Sequence, residues 1–420
     1  MSEITEVTAW EVLDSRGNPT VRAEVTTSDG SGRFTVPAGA STGRYEAVER
    51  RDGGDRYGGM GVTNAVAAIN DNLAPIVTGR DVTDQESLDA ALERADGTDR
   101  FTEVGANTAL AVSGAALHAA SAAVDRPLYR CLAEDRGVEP SIPTPMINVL
   151  SGGLHAEGGI EIQDFLVIPQ NAETYSEALE VVWDIRTAVR SLIVDRGERP
   201  LVADEGGFAP SMDDSTDAFE LLATGTEEAG HVLGDDVVFA IDVAASHFYD
   251  DEAGIYHLES AGRSLGREEM IALVTEWTES YPIVSVEDPL AEDDWEGWRR
   301  LADRLDDEVQ LLGDDLLVTN RERLDRAIDH GVASAVLVKP NQAGTITRAM
   351  DVIADAKSAG FESVVSARSG ETCDATIADM AVGLDAGQIK IGSLARSERL
   401  AKYNRLLEIE RTTDYPLKRQ

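Results

Sequence analysis

Short apolar runs rich in β-prone residues recur along the chain, separated by segments with helical spacing of apolar positions. In the first part, three such runs precede three helical patterns. The runs are EVTAWEVLD, TVRAEVTT and GRFTVPAG, and the helical patterns are GVTNAVAAINDNLAPIV, DQESLDAALERA and GANTALAVSGAALHAASAAV. The stretch SDGSG supplies a turn between the second and third runs. Strands followed by helices predict an α+β unit.

The remainder of the chain alternates regularly between apolar runs and helical patterns. The runs are PLVADEGG, DVVFAIDVAAS, YPIVSVEDP, VQLLGDDLL, SAVLVKPNQ, FESVVSARSG and GQIKIGS. This alternation predicts a parallel sheet of α/β class, and seven or eight such units suit a closed β/α barrel. A doubly wound open sheet is the alternative. The Pro-rich stretch EDRGVEPSIPTPM indicates a boundary, so we expect an N-terminal α+β domain over 1–135 and a C-terminal β/α barrel over 136–420.

Most of these runs end in a polar side chain that can take part in chemistry. In chain order they are Glu205, Asp242, Glu287, Asp314, Lys339, Arg368 and Lys390. In a barrel, the carboxyl ends of all parallel strands open onto one face, so we expect these groups to converge. A single acid after a strand is usually a helix N-cap. Acids and bases at seven successive strand ends are poorly explained by capping alone.

Three of these groups suit a metal site. Asp242, Glu287 and Asp314 follow consecutive runs, and oxygen ligands without His or Cys favour a hard cation such as Mg²⁺. Three carboxylates held close together would repel one another without such a cation. The alternative is that one or two of them are surface caps.

Lys339 suits a base. It ends the apolar run AVLV, and the chain has few lysines among its 37 basic residues. Burial and a nearby cation would lower its pKa enough for it to act as a neutral base. Lys390 would add positive charge or hold an anionic substrate. A lysine that reaches the surface is the alternative for Lys339.

Glu205 suits a general acid opposite that base. It precedes two glycines in VADEGGFAP, which permit a tight turn. Base, acid and metal together describe removal of a proton next to a carboxylate, with the enediolate stabilised by metal. The small-residue stretch VPAGASTGRYEA would form a loop that closes over such a site.

The composition and net charge of the chain limit the kinds of partner that it is expected to bind. The net charge is −40, from 77 acidic and 37 basic residues spread over the chain, which indicates a solvated acidic surface of the halophilic kind. That field predicts no nucleic-acid and no membrane partner. No apolar run is long enough to span a membrane, and the first residues lack the features of a secretory signal. Cys131 and Cys373 are the only cysteines, so we expect a reducing cytoplasm.

Several longer motifs resemble those of one family, in the family's order. They are LDSRGNPTV, GASTGRYEA, DEGGFAP, SVEDP, DDLLVTN, GQIKIG and RSERLAKYN, and together they resemble the enolase family along nearly the whole chain. The resemblance implies an N-terminal α+β cap on a β/α barrel, and a homodimer or larger homo-oligomer. It also implies Mg²⁺-dependent dehydration of 2-phospho-D-glycerate to phosphoenolpyruvate, a step of glycolysis and gluconeogenesis.

The resemblance also assigns roles residue by residue. Lys339 would be the base at C2, and Glu205 would assist departure of the 3-hydroxyl. Two Mg²⁺ ions are implied, one on Asp242, Glu287 and Asp314 and a second on the substrate phosphate. The substrate-side residues would be Ser41 at the second Mg²⁺, Arg368 and Ser369 at the phosphate, Lys390 at the carboxylate, Gln163 and His155 in the pocket, and Asp164 near the reacting hydroxyl.

Three positions depart from the family pattern. Ala367 stands where the family has a substrate-contacting His, Asp164 where it has Glu, and Ser151 where it has Asn. Three hypotheses therefore stay open: a working enolase with altered contacts, a paralogue for a related phosphorylated or phosphonate hydroxy or keto acid, and a non-catalytic protein with the fold. Retention of the lysines, the acid and the three carboxylates favours the first.

Overall fold

The computed structural model describes residues 2–40, 43–156, 159–306 and 308–419. Ser41, predicted to contact substrate and a second Mg²⁺, lies outside the described residues. Within the described ranges, no helix is long and apolar enough to cross a membrane.

The N-terminal part is an antiparallel sheet followed by helices, as predicted. Its strands are β1 (Ile4–Leu13), β2 (Pro19–Thr27) and β3 (Ser31–Thr35), in that spatial order. Its helices are α1 (Thr63–Ala67), α2 (Ala74–Val77), α3 (Gln85–Asp96), α4 (Ala106–Ala123) and α5 (Leu128–Arg136). The buried α4 packs on β2 and β3. Gly32 permits this approach, because a Cβ there would lie 2.1 Å from the Ala119 nitrogen.

The rest of the described chain alternates strands and helices. The strands are β4 (Thr144–Ser151), β5 (Asp164–Pro169), β6 (Val237–Asp242), β7 (Tyr249–Asp250), β8 (Ile255–Leu258), β9 (Arg263–Leu265), β10 (Ile283–Glu287), β11 (Gln310–Gly313), β12 (Ala335–Val338), β13 (Glu362–Ser366) and β14 (Gly387–Gly392). The helices are α6 (Tyr175–Asp195), α7 (Ser215–Glu228), α8 (Arg267–Ser280), α9 (Trp295–Ala302), α10 (Arg321–His330), α11 (Pro340–Ala343), α12 (Ile346–Ser358), α13 (Thr376–Gly383) and α14 (Ser397–Thr412).

Among the described residues, eight of these strands close into a barrel, in the order β10-β11-β12-β13-β14-β4-β5-β6. The closed barrel is confirmed and the open sheet is excluded. Strands β7, β8 and β9 form a separate antiparallel sheet after β6.

The expectation of a wholly parallel barrel was wrong at one strand. Strand β5 runs antiparallel to both β4 and β6. The predicted run PLVADEGG is also not a barrel strand; Leu201 and Val202 are 63% and 47% exposed, and Val202 only bridges to Phe208. Strands β4 and β5 fill the barrel in its place. The reversal of β5 puts Asp164, its first residue, at the end of the barrel where the parallel strands finish.

Side chains alternate between the barrel interior and the surrounding helices, because successive residues of a strand face opposite sides. On β12, Ala335 and Leu337 belong to the interior cluster, whereas Val336 and Val338 pack in the outer core. The same alternation continues past the strand end and directs Lys339 inward. Asp242, Asp314 and Lys390 likewise occupy inward-facing positions of this alternation on or directly after their own strands.

Candidate active site

Both lysines and the three predicted metal ligands meet at the carboxyl end of the barrel. Lys390 Nζ lies 2.6 Å from Asp242 Oδ2 and 2.7 Å from Glu287 Oε2. Lys339 Nζ pairs with Asp314 Oδ2. Asp242, Glu287, Asp314 and Lys390 are buried, and the Lys339 side chain is 11% exposed. The sequence-based expectation that these strand ends converge is therefore met by the structure.

The structure also shows which carboxylates are close enough to share one cation. Among the described residues, two sets of three have ligand atoms within 4.8 Å of one another, namely His155, Asp164 and Glu205, and Asp288, Asp314 and Asp315. The predicted set of Asp242, Glu287 and Asp314 is not one of them, and lysine ammonium groups occupy some of its oxygens.

The donor chemistry nevertheless fits a hard cation. Glu287 Oε1 has no hydrogen-bond partner among the described residues, although its side chain is buried. Burial and the neighbouring Asp242 raise the pKa of Glu287 well above its usual value, against the effect of Lys390. A buried carboxyl with an orphan oxygen beside two further carboxylates offers the all-oxygen ligand set that Mg²⁺ prefers.

The lowered pKa expected of Lys339 depends on a nearby cation and stays a prediction. Burial lowers the pKa of Lys339, but the Asp314 carboxylate at its ammonium raises it, and the net direction is upward. Lys339 therefore becomes a neutral base only when the charge of Asp314 is engaged elsewhere, for example by a cation.

A hydrogen-bonded chain fixes Lys339 and Asp314 relative to each other. Thr319 Oγ1 accepts the backbone N–H of Lys339 at 2.9 Å and donates to Gln342 Oε1 at 2.7 Å. Gln342 Nε2 donates to Asp314 Oδ1 at 2.8 Å. Asp288 accepts the backbone N–H of Asp314 at 3.0 Å, which shapes the turn after β11.

Sequence reasoning missed these supporting residues. The available signals were the second acids in SVEDP and GDDLL, which are Asp288 and Asp315, and the amide of KPNQ, which is Gln342. Burial raises the pKa of both Asp288 and Asp315 well above the usual range, reinforced by neighbouring carboxylates. These two acids therefore hold protons more readily than exposed aspartates.

Glu205 lies on the predicted tight turn. Gly206 has φ +87°, and its N–H donates to the Ala203 carbonyl at 3.0 Å. The Glu205 side chain is buried and lies 3.7 Å from His155 Nε2. Burial raises the pKa of Glu205, but His155, Arg399 and the two lysines lower it, with a net downward direction. Glu205 is therefore ionised at neutral pH.

His155 holds a proton beside that carboxylate. Burial lowers its pKa, but Asp164 and Glu205 raise it to about 9. Its Nδ1 lies 3.3 Å from the Asp164 carboxylate. The imidazolium is thus placed between two carboxylates.

Asp164 is held by hydrogen bonds from two neighbouring side chains. It is fully buried and accepts hydrogen bonds from Asn148 Nδ2 and from Ser151 Oγ, the latter at 3.1 Å. Asn148 Nδ2 also donates to Ser151 Oγ at 2.9 Å. Two departures from the family pattern, Asp164 and Ser151, are therefore direct partners. Asn148 was missed by the sequence reading.

Gln163 lies next to this network. Its Nε2 donates to Asp242 Oδ2 at 3.0 Å, and its backbone N–H donates to the Asp242 carbonyl at 2.9 Å. Gln163 thus holds a predicted metal ligand in place, whereas its predicted contact with substrate stays a prediction.

The residues predicted to bind phosphate, Arg368 and Ser369, follow the end of β13 and contact the N-terminal part. Arg368 forms a buried ion pair with Glu46 and donates to Asn341 Oδ1 at 3.0 Å. Ser369 Oγ accepts the Ala40 N–H at 2.6 Å. Ala367 is a buried continuation of the strand, with its N–H on the Lys390 carbonyl at 2.9 Å.

The loop predicted to close over the site contacts the barrel on both sides of the undescribed residues. Ala38 forms a bridge with Gly370. Arg44 pairs with Asp251, Glu292 and Asp293. The N-terminal part is therefore joined to the barrel mouth at the candidate site.

Fold and site together define a β/α-barrel protein with acid, base and metal-type groups at the carboxyl end of its strands. The family profile "Enolase, N-terminal domain" matches residues 4–132, and "Enolase, C-terminal TIM barrel domain" matches residues 139–415. The chain belongs to the enolase family. Its predicted division at residue 135 stays a prediction, as do the roles of the individual site residues.

Proposed function

We propose that this chain dehydrates 2-phospho-D-glycerate to phosphoenolpyruvate in the presence of Mg²⁺. The observation that carries the proposal is the buried cluster of Lys339, Lys390, Glu205 and three carboxylates at the mouth of an enolase-family barrel. An acid, a base and cations close together are what α-proton abstraction next to a carboxylate requires.

We expect two cationic groups, Arg368 and Lys390, to receive an anionic substrate. Arg368 and Ser369 would bind the phosphate, and the Lys390 ammonium would face the carboxylate. The chain as a whole carries −40, so an anion approaches only where local positive charge outweighs that field. Binding at both ends would orient the C2 hydrogen toward Lys339.

In the proposed reaction, one proton is removed by Lys339 and another is delivered by Glu205. Lys339 takes the C2 proton, and the C3–O bond breaks as the double bond forms. The departing hydroxyl needs a proton, which Glu205 would deliver after taking it from the protonated His155. His155, 3.7 Å from Glu205, is the group that holds this proton in the free protein. The products are phosphoenolpyruvate and water.

Mg²⁺ would be held by Asp242, Glu287 and Asp314, with a second ion at the substrate phosphate near Ser41. The bound cation would neutralise the carboxylates and stabilise negative charge that develops on the substrate carboxylate. It would also release Lys339 from its pairing with Asp314, which is what the base role of Lys339 needs.

One observation favours a second candidate, a paralogue acting on a related phosphorylated or phosphonate hydroxy or keto acid. The departures from the family pattern are on the predicted substrate side: Asp164 accepts a hydrogen bond from Ser151, and Ala367 offers no side-chain donor. The lysines and the carboxylates are retained. Adaptation to a different substrate would produce this combination of altered substrate-side residues and retained lysines and carboxylates.

The test mixes purified protein, Mg²⁺ and 2-phospho-D-glycerate in high salt and follows the ultraviolet absorbance of the enol product. A rise supports the proposal. No rise from folded, Mg²⁺-binding protein would refute it and favour the paralogue, to be tested with other phospho- and phosphono-acids. Binding of Mg²⁺ without turnover of any such acid would favour a non-catalytic protein.

The partners and setting follow from the same proposal. We expect a homodimer or larger homo-oligomer in the cytoplasm of a halophilic cell, with no nucleic-acid or membrane partner. Sedimentation in high salt tests the oligomeric state.

A further inference from the structure

We infer that Glu46 is a positioning residue, which orients Arg368 to receive the phosphate of the substrate. The inference rests on the proposed function, in which Arg368 binds that phosphate. Glu46 belongs to the N-terminal part and was not singled out in the sequence, although it is the one acid in GASTGRYEA.

The pair is bidentate and buried. Arg368 Nη1 lies 3.1 Å from Glu46 Oε2, and Arg368 Nη2 lies 3.2 Å from Glu46 Oε1. Arg368 is 4% exposed and Glu46 is 6% exposed. Two parallel N–H···O bonds fix the plane of a guanidinium as well as its position. Glu46 therefore determines which way Arg368 faces.

Glu46 is itself held by both parts of the molecule. Its Oε1 accepts the backbone N–H of Gly43 at 2.9 Å and the Nε2 of Gln342 at 3.2 Å. Gly43 adjoins the loop over the site, and Gln342 follows Lys339 in the barrel. The orientation of Arg368 is thus set by a carboxylate that is anchored to the loop and to the barrel together.

A purely structural ion pair between the two parts is the competing explanation. The two explanations predict opposite changes in anion affinity when the negative charge of Glu46 is removed. Loss of a negative charge beside Arg368 would by itself favour binding of an anion. Loss of the orienting contact would weaken that binding, because a hydrogen bond to a charged group is worth about tenfold or more in affinity.

The experiment measures the affinity of the Mg²⁺-loaded protein for 2-phospho-D-lactate by calorimetry. This probe carries the phosphate and the carboxylate but lacks the 3-hydroxyl, so it cannot be dehydrated. We expect Glu46→Gln to raise its Kd about tenfold or more, despite the removed charge. Glu46→Asp keeps the charge but is one methylene too short to keep both bonds, and we expect a similar loss.

Two controls separate orientation from charge and from folding. Glu49→Gln removes a charge that also acts on Arg368, but the Glu49 carboxylate pairs with Arg51 at 2.6 Å instead. We expect it to leave the Kd within about twofold or to lower it. The Mg²⁺ affinity without phospholactate is the internal control, because Gln342 keeps its bonds to Asp314 and Thr319 in both Glu46 variants.

The outcomes are distinct. An unchanged or tighter Kd in Glu46→Gln, or an equal loss of Mg²⁺ and phospholactate binding, would overturn the positioning role. A wild-type protein that does not bind phospholactate would overturn this inference together with its substrate class. Selective loss in the variants, with no turnover of 2-phosphoglycerate by the wild type, would support the positioning role and refute the proposed reaction.

Discussion

The Lys390 ammonium lies 2.6 Å from the Asp242 carboxylate, so a residue predicted to bind substrate and one predicted to bind metal are direct partners. The same ammonium lies 2.7 Å from Glu287. In the proposed function, a divalent cation held by Asp242 and Glu287 would compete with this lysine for their carboxylate oxygens.

Lys390→Met tests this competition. Without a cation it removes the buried ion-pair partner of Asp242 and Glu287, which we expect to cost about 3–5 kcal/mol of unfolding free energy. Mg²⁺ should stabilise this variant more than it stabilises the wild type, because the variant has no Lys390 ammonium that competes for the carboxylates. Denaturant unfolding with chelator and with Mg²⁺ gives both values.

Lys402→Met is the matched control for that experiment. Lys402 is equally buried and pairs with Glu371 at 2.6 Å, away from the predicted metal ligands. We expect it to destabilise the protein with no extra recovery in Mg²⁺. An equal Mg²⁺ effect in both variants would contradict the competition.

Lys339→Ala tests the base. We expect turnover, and exchange of the C2 proton with solvent deuterium followed by NMR, to fall by a factor of about 10²–10⁴ or more. The fold and Mg²⁺ binding should persist. Lys357→Ala, which removes a half-exposed lysine, should leave the rate unchanged. Retained exchange in Lys339→Ala would rule out the assignment.

His155 predicts a pH dependence of stability. Its pKa rises from 6.5 to about 9 in the folded protein, where Asp164 and Glu205 outweigh burial. A raised folded pKa contributes stability that is complete below about pH 6.5 and is lost as the pH rises through about 9. We expect a contribution of the order of 3 kcal/mol.

The comparison is between wild type and His155→Gln in chelator, by denaturant unfolding across this range. The wild type should lose its advantage over the variant between about pH 6.5 and 9. A constant difference between the two proteins over that range would contradict the proposed protonation state.

The charge of −40 predicts a salt-dependent stability. Like charges on the surface repel one another in the folded state, and salt screens them, with a Debye length that falls from about 10 Å at 0.1 M to about 3 Å at 1 M. We expect the melting temperature to rise by several degrees over that range. Calorimetric melting in KCl measures it, and a falling or constant value would contradict the expectation.

The barrel was predictable from the sequence except at its start. Strands β6 and β10 to β14 each carry a polar side chain at their carboxyl end or within two residues of it, and that local pattern is enough to place Asp242, Lys339 and Lys390 at one mouth. Strand β5 was missed, because nothing local distinguishes an antiparallel strand from a parallel one. Its direction depends on its pairing with β4 and β6.

The sequence by itself determined the identity and order of the chemical groups, since motif spacing and strand alternation are local properties of the chain. Only the tertiary structure decided which groups touch. It paired Arg368 with Glu46, some 322 residues apart, and placed the Ser151 hydroxyl in hydrogen-bond contact with Asp164. It also placed Asp314 at the Lys339 ammonium, which raises the pKa of that lysine. Burial and neighbouring charge set these properties, and both arise only when distant segments meet.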